Sequence, residues 1–225
     1  MKILAVETST SYLCLALSDG RKEYALRFEC GRKLSSMLVP TVERAVAAAG
    51  WDFSAIDRFG CGIGPGSFTA VRIGMAAVKA FAWSVRRPVI GVSSLQLLAA
   101  NVAAHPADHI IAVIDAKRSM VYAQVFSPRG GDVPRPCGEP VLATAEVFAK
   151  KLRKKCILVG DGIPVLQQLG MSFPSGMCAD KDHWYPQPQQ LLACVRSQIA
   201  TGAGVDAKTI EPLYLYPPEC QVRTA

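Results

Sequence analysis

The segments Ile3-Leu4-Ala5-Val6-Glu7, Thr8-Ser9-Thr10-Ser11 and Leu13-Cys14-Leu15-Ala16-Leu17 follow one another near the start of the chain. Two β-type runs joined by a hydroxyl-rich turn predict a hairpin. A counterpart begins 108 residues later, where Ile111-Ala112-Val113-Ile114-Asp115 leads through Lys117-Arg118 to Val121-Tyr122-Ala123-Gln124-Val125. In both copies an apolar strand ends in one acid and a tight polar turn returns the chain. We therefore predict a duplicated lobe.

The stretches around the two hairpins alternate between strand and helix patterns. A β run at 23–29 precedes a helical stripe from Ser36 to Ala49, which Gly50 ends. This order predicts an α/β protein in which each lobe is a mixed sheet with flanking helices. We place the N-terminal lobe at 1–104 and the C-terminal lobe at 105–225, and leave open whether the C-terminal helix packs back on the N-terminal lobe. The other predicted elements are strands at 58–63, 88–92 and 156–160, and helices at 67–85, from Ser93 or Ser94 to 103, at 144–153 and at 188–201.

Composition excludes several classes of protein. The chain has 225 residues, of which 50% are hydrophobic and 19% charged, so it is neither a disordered tail nor a coiled coil. Its longest apolar stretches fall far short of the roughly 20 residues that cross a bilayer. The first apolar run is too short for a secretory signal, and we expect a cytoplasmic protein without membrane contact. A net charge of +7 is compatible with a nucleic-acid or acidic-protein partner but does not require one.

The eight cysteines include no Cys-x-x-Cys pair, which argues against a zinc ribbon or a thioredoxin-type site. Most of them lie in apolar runs, as Cys14 does between Leu13 and Leu15. We therefore predict reduced core cysteines rather than disulfides.

The two hairpin turns are the first candidate site. Backbone N–H groups and the hydroxyls of Thr8 and Ser9 could face phosphates at the first turn, and Lys117 and Arg118 could add charge at the second. The alternative, which the residues alone favour, is two ordinary turns without a ligand.

The helix at 67–85 is the second candidate site, because it is apolar nearly all round. Ala70, Gly74, Ala77 and Phe81 share one face, Val71, Met75 and Val78 form an adjoining stripe, and Arg72 and Lys79 alone interrupt the middle. Such a helix is either buried in its own lobe or shared with another chain, and Gly74 would allow close approach of a second helix. The pattern leaves both interpretations open.

Residues for catalysis are scarce. His105 and His109 have the i, i+4 spacing of a metal pair, but Pro106 lies between them in a predicted loop, and His183 stands alone. No nucleophile elbow or HExxH motif is present. We predict no catalytic residue and no metal site on this chain.

The run from Gly64 to Lys79, Gly-Pro-Gly-Ser-Phe-Thr-Ala-Val-Arg-Ile-Gly-Met-Ala-Ala-Val-Lys, resembles the signature of the TsaB/YeaZ family. Four further segments agree in order, at 3–10, 91–95, 114–122 and 212–215. The resemblance is strong over 1–127 and looser beyond, and it implies the two-lobed actin-like ATPase fold (ASKHA, RNase H-like).

The resemblance also bears on catalysis. The family's catalytic relative, TsaD, carries a His-x-x-x-His metal pair at positions that match Ser94 and Leu98, which implies that the metal centre is absent here. There are two departures from the family pattern: Glu7 stands where Asp is usual, and Leu34-Ser35-Ser36 stands where His-Ser-Glu is common.

The resemblance implies a non-catalytic partner subunit that activates a TsaD-type subunit for threonylcarbamoylation of adenosine 37 in tRNA. A TsaE-type ATPase would join the assembly, tRNA would be reached through the complex, and a homodimer would use a similar surface. No cofactor is expected on this chain, because ATP and metal would lie on the partner subunits. The alternatives are an ATPase or small-molecule kinase and, less well supported, a peptidase. The candidate interface residues are Leu38, Val42, Phe68, Val71, Arg72, Gly74, Met75, Val78 and Lys79.

Overall fold

Two five-stranded sheets form the framework of the molecule. The structure, a computed structural model, describes residues 1–128, 131–150, 152 and 155–216. The helix Ser94–Ala100 lies between the sheets. The last described residues contact both sheets. The prediction of a two-lobed α/β fold of the actin-like ATPase class is confirmed.

The first sheet has the order β3-β2-β1-β4-β5. Strands β1 and β2 pair antiparallel, with Glu7 opposite Cys14, and β1 pairs parallel with β4, with Val6 opposite Cys61. Every residue of β1 is buried because the strand is central and covered on both faces. The strands are β1 (Ile3–Glu7), β2 (Tyr12–Ser18), β3 (Glu23–Glu29), β4 (Arg58–Gly64) and β5 (Val89–Ser93).

Helices cover both faces of this sheet. Alternate residues of β1 point to opposite sides: Leu4 and Val6 pack towards α1 (Leu34–Ala48) and α2 (Phe68–Ser84). On the other side, Ile3 and Ala5 pack against α3 (Ser94–Ala100) and α6 (Pro188–Ala200), which supplies Leu191, Leu192, Cys194 and Val195. The late helix α6 thus completes the core of the first sheet.

The second sheet repeats the central arrangement of the first. Its first strand, β6, lies between an antiparallel hairpin partner, β7, and a parallel strand, β10, as β1 lies between β2 and β4. The inner face packs on α3, and the outer face packs on Phe148 of α4 and on Ile163 and Leu166 of α5. The elements are β6 (His109–Lys117), β7 (Met120–Ser127), β8 (Arg135–Pro136), β9 (Val141–Thr144), α4 (Ala145–Ala149), β10 (Cys156–Val159) and α5 (Ile163–Gln168).

The C-terminal strap, which we define as residues 205–216, runs from the first sheet to the second. Val205 forms an antiparallel bridge with Val89, and the Leu213 N–H donates to the carbonyl of Ile63 at 2.8 Å. At its far end, the Tyr216 hydroxyl donates to the carbonyl of Ala116 at 2.9 Å. The strap therefore connects both lobes.

Several local predictions need correction. Helix α3 ends at Ala100 rather than near 103, and α4 ends at Ala149 rather than 153. Ser67 and Ser93 occupy the N-cap positions of α2 and α3, but neither side chain makes a capping hydrogen bond. The last predicted positions of α4 include residues 151 and 153, which lie outside the described part of the chain.

Seven cysteines in the described residues are free thiols, and the eighth, Cys220, lies outside those residues. Within the described residues, no helix combines the length and apolar character that a membrane crossing requires.

Candidate functional site

A cleft of about 1010 Å³ lies where the two lobes meet. The β1–β2 turn contributes Ser9, Thr10 and Ser11, and the end of β6 with the β6–β7 turn contributes Asp115 to Arg118. The start of α2 and the C-terminal strap complete the lining with the aromatic residues Phe68, Tyr214 and Tyr216. The two hairpin turns singled out in the sequence therefore face one another across a shared space.

In the first turn, the acid at the end of β1, Glu7, is buried and hydrogen-bonded. Glu7 is 1% exposed, and its carboxylate accepts hydrogen bonds from the Ser94 hydroxyl at 3.0 Å and from the Ser9 backbone N–H. Burial raises the pKa of Glu7, and the hydrogen bonds from Ser9 and Ser94 lower it in part. A Cβ added to Gly62 would overlap the Glu7 carboxylate, so this glycine is needed for space. Glu7 thus belongs to the interior rather than to the cleft.

Thr8 and Gly74 join this turn to α2. Thr8 is 1% exposed, and its hydroxyl donates to the carbonyl of Ala70 at 2.8 Å. A Cβ added to Gly74 would overlap the Thr8 hydroxyl. Two expectations are corrected: Thr8 does not offer its hydroxyl to the cleft, and Gly74 makes room for a loop of its own lobe.

The second turn keeps its charges accessible. The Lys117 ammonium lies 2.5 Å from the Asp115 carboxylate, with 80% of the Lys117 side chain exposed. The hydrogen bond to Asp115 is the main cause that raises the pKa of Lys117. Residues Lys117, Arg118 and Ser119 all have positive φ, at 65°, 53° and 58°, so the backbone of three consecutive non-glycine residues is in the left-handed region. Because the turn is tight, the Lys117 side chain lies next to Asp115, two residues before it.

Asp161 lies behind the second turn, and sequence reasoning missed it. Its carboxylate accepts the backbone N–H of Asp115 at 3.1 Å. Burial is the main cause that raises the pKa of Asp161 to about 6. The signal available in the sequence was its place two residues after the end of β10, at the same edge of the sheet as Asp115 near the end of β6. The cleft therefore holds two neighbouring carboxylates as well as the expected basic residues.

The predicted interface residues divide into two groups. Phe68 and Arg72 are exposed and Lys79 is half-buried. The other six lie in the core of their own lobe, because the first sheet needs an apolar cover on this face. Their assignment to a contact surface is revised on this ground; they are Leu38, Val42, Val71, Gly74, Met75 and Val78.

The opposite side of α2 is a continuous exposed stripe. We name it the α2 outer stripe and define it as Phe68, Arg72, Ala76, Ala80 and Trp83, which recur at intervals of four, four, four and three. Phe68 is 43% exposed and Trp83 is 63% exposed. Because the helix is apolar on every side, its sequence pattern does not identify Ala76, Ala80 and Trp83 as surface residues.

The C-terminal strap borders this stripe. The Lys79 ammonium donates to the carbonyls of Lys208 and Ile210, at 3.2 and 3.1 Å, so its charge anchors the strap. Tyr214 lies beside Phe68, with ring centroids 5.4 Å apart. No sequence signal for this contact exists, since the two rings are separated by most of the chain.

Ser94 and Leu98, at which the family resemblance implied the loss of a metal pair, both lie in the interior. The Ser94 hydroxyl is committed to Glu7, and Leu98 is 1% exposed in the core between the sheets. Among the described residues, no three histidine, cysteine or acidic side chains come together as a group that could hold a metal ion.

Comparison with known proteins agrees with this architecture. Two lobes that each open with an acid-tipped hairpin, with a cleft between them, define a protein of the actin-like ATPase fold class. Residues 28–219 match the family described as TsaD, tRNA N6-adenosine threonylcarbamoyltransferase. The chain belongs to this family and, within it, to the TsaB/YeaZ proteins.

The individual relatives carry the TsaB and YeaZ names. The chain is 31% identical to the tRNA threonylcarbamoyladenosine biosynthesis protein TsaB of Escherichia coli (strain K12), over 96% of this chain and 94% of that protein. The Bacillus subtilis (strain 168) protein of the same name is 33% identical over 58% of this chain and 57% of its own length. The crystal structure of an uncharacterized protein with similarity to peptidase YEAZ, from Pseudomonas aeruginosa, is 27% identical, with a TM-score of 0.86 over 96% of this chain and 99% of that one. A second structure, YeaZ from Pseudomonas aeruginosa, is also 27% identical, with a TM-score of 0.82 over 95% and 100%.

Proposed function

We propose that this chain is a non-catalytic subunit that binds and activates a TsaD-type catalytic subunit for N6-threonylcarbamoylation of adenosine 37 in tRNA. The α2 outer stripe is the observation that carries the proposal. Exposed aromatic residues at both ends and alanines between them form a surface that a second helix can approach closely.

The interior of the chain supports a division of labour between subunits. The Ser94 hydroxyl is already hydrogen-bonded to the Glu7 carboxylate, and Leu98 has no atom that could ligate a metal. In the proposal, the catalytic metal and ATP are therefore held by the partner subunits, and a TsaE-type ATPase joins the assembly. A homodimer through the α2 outer stripe would compete with the TsaD-type partner for the same surface.

Substitution of Ala80 by Arg tests the surface. Ala80 is exposed, so the variant folds, and a long charged side chain in the middle of the stripe keeps the second helix away. We expect Ala80→Arg to weaken association with the TsaD-type protein of the same organism by about a hundredfold, measured by calorimetry. Ala200→Arg is the matched control, because Ala200 is exposed on α6, on the opposite face of the first sheet. Equal affinity of both variants would remove α2 from the interface.

Depletion of the protein tests the pathway itself. Mass spectrometry of tRNA nucleosides should show loss of threonylcarbamoyladenosine in depleted cells, and wild-type protein supplied in trans should restore it. Complementation by Ala200→Arg but not by Ala80→Arg would connect the modification to the stripe. Normal nucleoside levels after depletion, in a strain without a second copy, would refute the assignment.

The cleft supports a second candidate function, an ATPase or small-molecule kinase. Ser9, Lys117 and Arg118 line the same space, which is large enough for a nucleotide. Two observations argue against strong phosphate binding in the cleft. The Lys117 charge is already paired with Asp115, and Asp161 adds a second carboxylate that would repel a phosphate. Calorimetry of the isolated protein with ATP and magnesium decides between the two functions, since tight binding with turnover would favour the enzyme.

A further inference from the structure

We propose that Arg72 is a preformed receptor for a carboxylate on the protein partner that docks on the α2 outer stripe. The inference rests on the proposed function and names the chemistry of one contact within it. The partner group is an aspartate or glutamate side chain surrounded by small or apolar residues that match the stripe.

The geometry of Arg72 is fixed before any partner arrives. Its guanidinium carbon lies 3.7 Å from the centroid of the Phe68 ring and 5.5 Å from that of Tyr214. Its Nε donates to the Tyr214 hydroxyl at 2.7 Å. Stacking and one hydrogen bond together restrain a long side chain, which reduces the entropy that binding would otherwise cost.

The charge of Arg72 has no acidic partner within the described residues. The two ion pairs found there join Lys117 to Asp115 and Arg196 to Glu23. Helix α2 itself contains no acid, and its second cation, Lys79, binds carbonyls of the C-terminal strap. Because Nε is used by Tyr214, the two terminal nitrogens of Arg72 remain for a bidentate contact with a carboxylate.

The surroundings favour a protein carboxylate over an RNA phosphate. Nucleic-acid surfaces gather several lysines and arginines along a track, because each phosphate adds one charge. The stripe instead places one arginine among Phe68, Tyr214, Ala76 and Ala80. Arginine and aromatic residues are the types enriched at the energetic centres of protein–protein interfaces.

Three variants of the full-length protein test the receptor. Arg72→Met keeps the aliphatic stem over Phe68 but removes the charge, and we expect the affinity for the TsaD-type subunit to fall about thirtyfold. Tyr214→Phe keeps the ring but removes the hydroxyl that holds Nε, and we expect a loss of about three- to fivefold. Arg21→Met is the matched control for net charge, because Arg21 is exposed in the β2–β3 turn.

The results separate this inference from the proposed function. The expected pattern is a loss in Arg72→Met that shrinks at high salt, with Arg21→Met unchanged. If Arg72→Met binds as tightly as wild type while Ala80→Arg does not, the receptor is wrong and the docking surface stands. If Arg72→Met retains the protein partner but weakens retention of tRNA by the complex, the group contacts RNA and the inference is overturned.

Discussion

The two hairpin turns occupy matching places in their sheets, yet they treat their acids in opposite ways. In the first lobe, Glu7 is 1% exposed and is hydrogen-bonded to Ser94 and Ser9. In the second, Asp115 pairs with an exposed lysine at the edge of the cleft. One turn thus belongs to the core, and the other keeps accessible charge.

The sharpest way to break this comparison is to crowd the buried acid. Gly62→Ala places a methyl group against the Glu7 carboxylate, and we expect a loss of at least about 4 kcal/mol in the free energy of unfolding, measured with urea. In a Glu7→Ala background the same substitution should cost much less, since the overlapping atoms are gone. Equal costs in both backgrounds would show that the overlap is not the cause.

Removal of each acid in turn compares the lobes directly. Glu7→Ala leaves the Ser94 hydroxyl and the Ser9 N–H without an acceptor in the interior, so we expect a loss of about 3 kcal/mol. Asp115→Ala removes a contact at the rim and should cost about 1 kcal/mol or less. Urea unfolding of both variants measures the difference, and similar losses would contradict the contrast between the lobes.

Asp161 makes stability depend on pH. Because its pKa in the folded protein, about 6, is above the ordinary value of 3.8, the folded state binds the proton more tightly and loses stability as pH rises through the folded pKa. Between about pH 4.5 and about pH 7, wild type should lose about 2 kcal/mol relative to Asp161→Asn. Asp132→Asn, in an exposed loop, is the control. Parallel pH profiles for wild type and Asp161→Asn would contradict the shift.

The smallest effect is expected at the exposed ion pair. Lys117→Met removes a charge from a side chain that is 80% exposed, and we expect a change below about 1 kcal/mol that disappears in high salt. Thermal unfolding at low and high salt measures it. A larger, salt-independent loss would mean that the second turn is as integral to its lobe as the first.

The repeat of Ile3–Glu7 at 111–115 predicted two lobes, and the family resemblance, rather than periodicity, implied the actin-like class. Alternation and turn residues predicted the strand and helix order of the first lobe, but β8, β9 and α5 of the second lobe were not predicted because they are short. Helix ends were less accurate because they depend on caps, and Ser67 and Ser93 make no capping bond despite their suitable side chains.

The site was harder to predict because α2 is apolar on every side, so its sequence does not show which face is buried and which is exposed. Val71, Met75 and Val78 could equally have faced a partner, and the structure turns them inward. Tyr214 and Asp161 acquire their roles through contacts with residues distant in sequence, Phe68 and Asp115 respectively. No local signal reports such pairs.

Helix α6 has a consequence for the order in which the protein is made. It covers the face of the first sheet that contains Ile3, Ala5 and Ile90, although almost one hundred residues separate it from β5. During synthesis, the first half of the chain leaves the ribosome before α6 has been made, so this apolar face is still exposed to water. The first lobe can complete its core only after α6 has emerged. A stalled or cleaved product that lacks α6 should therefore be a substrate for chaperones and proteases rather than a stable fragment.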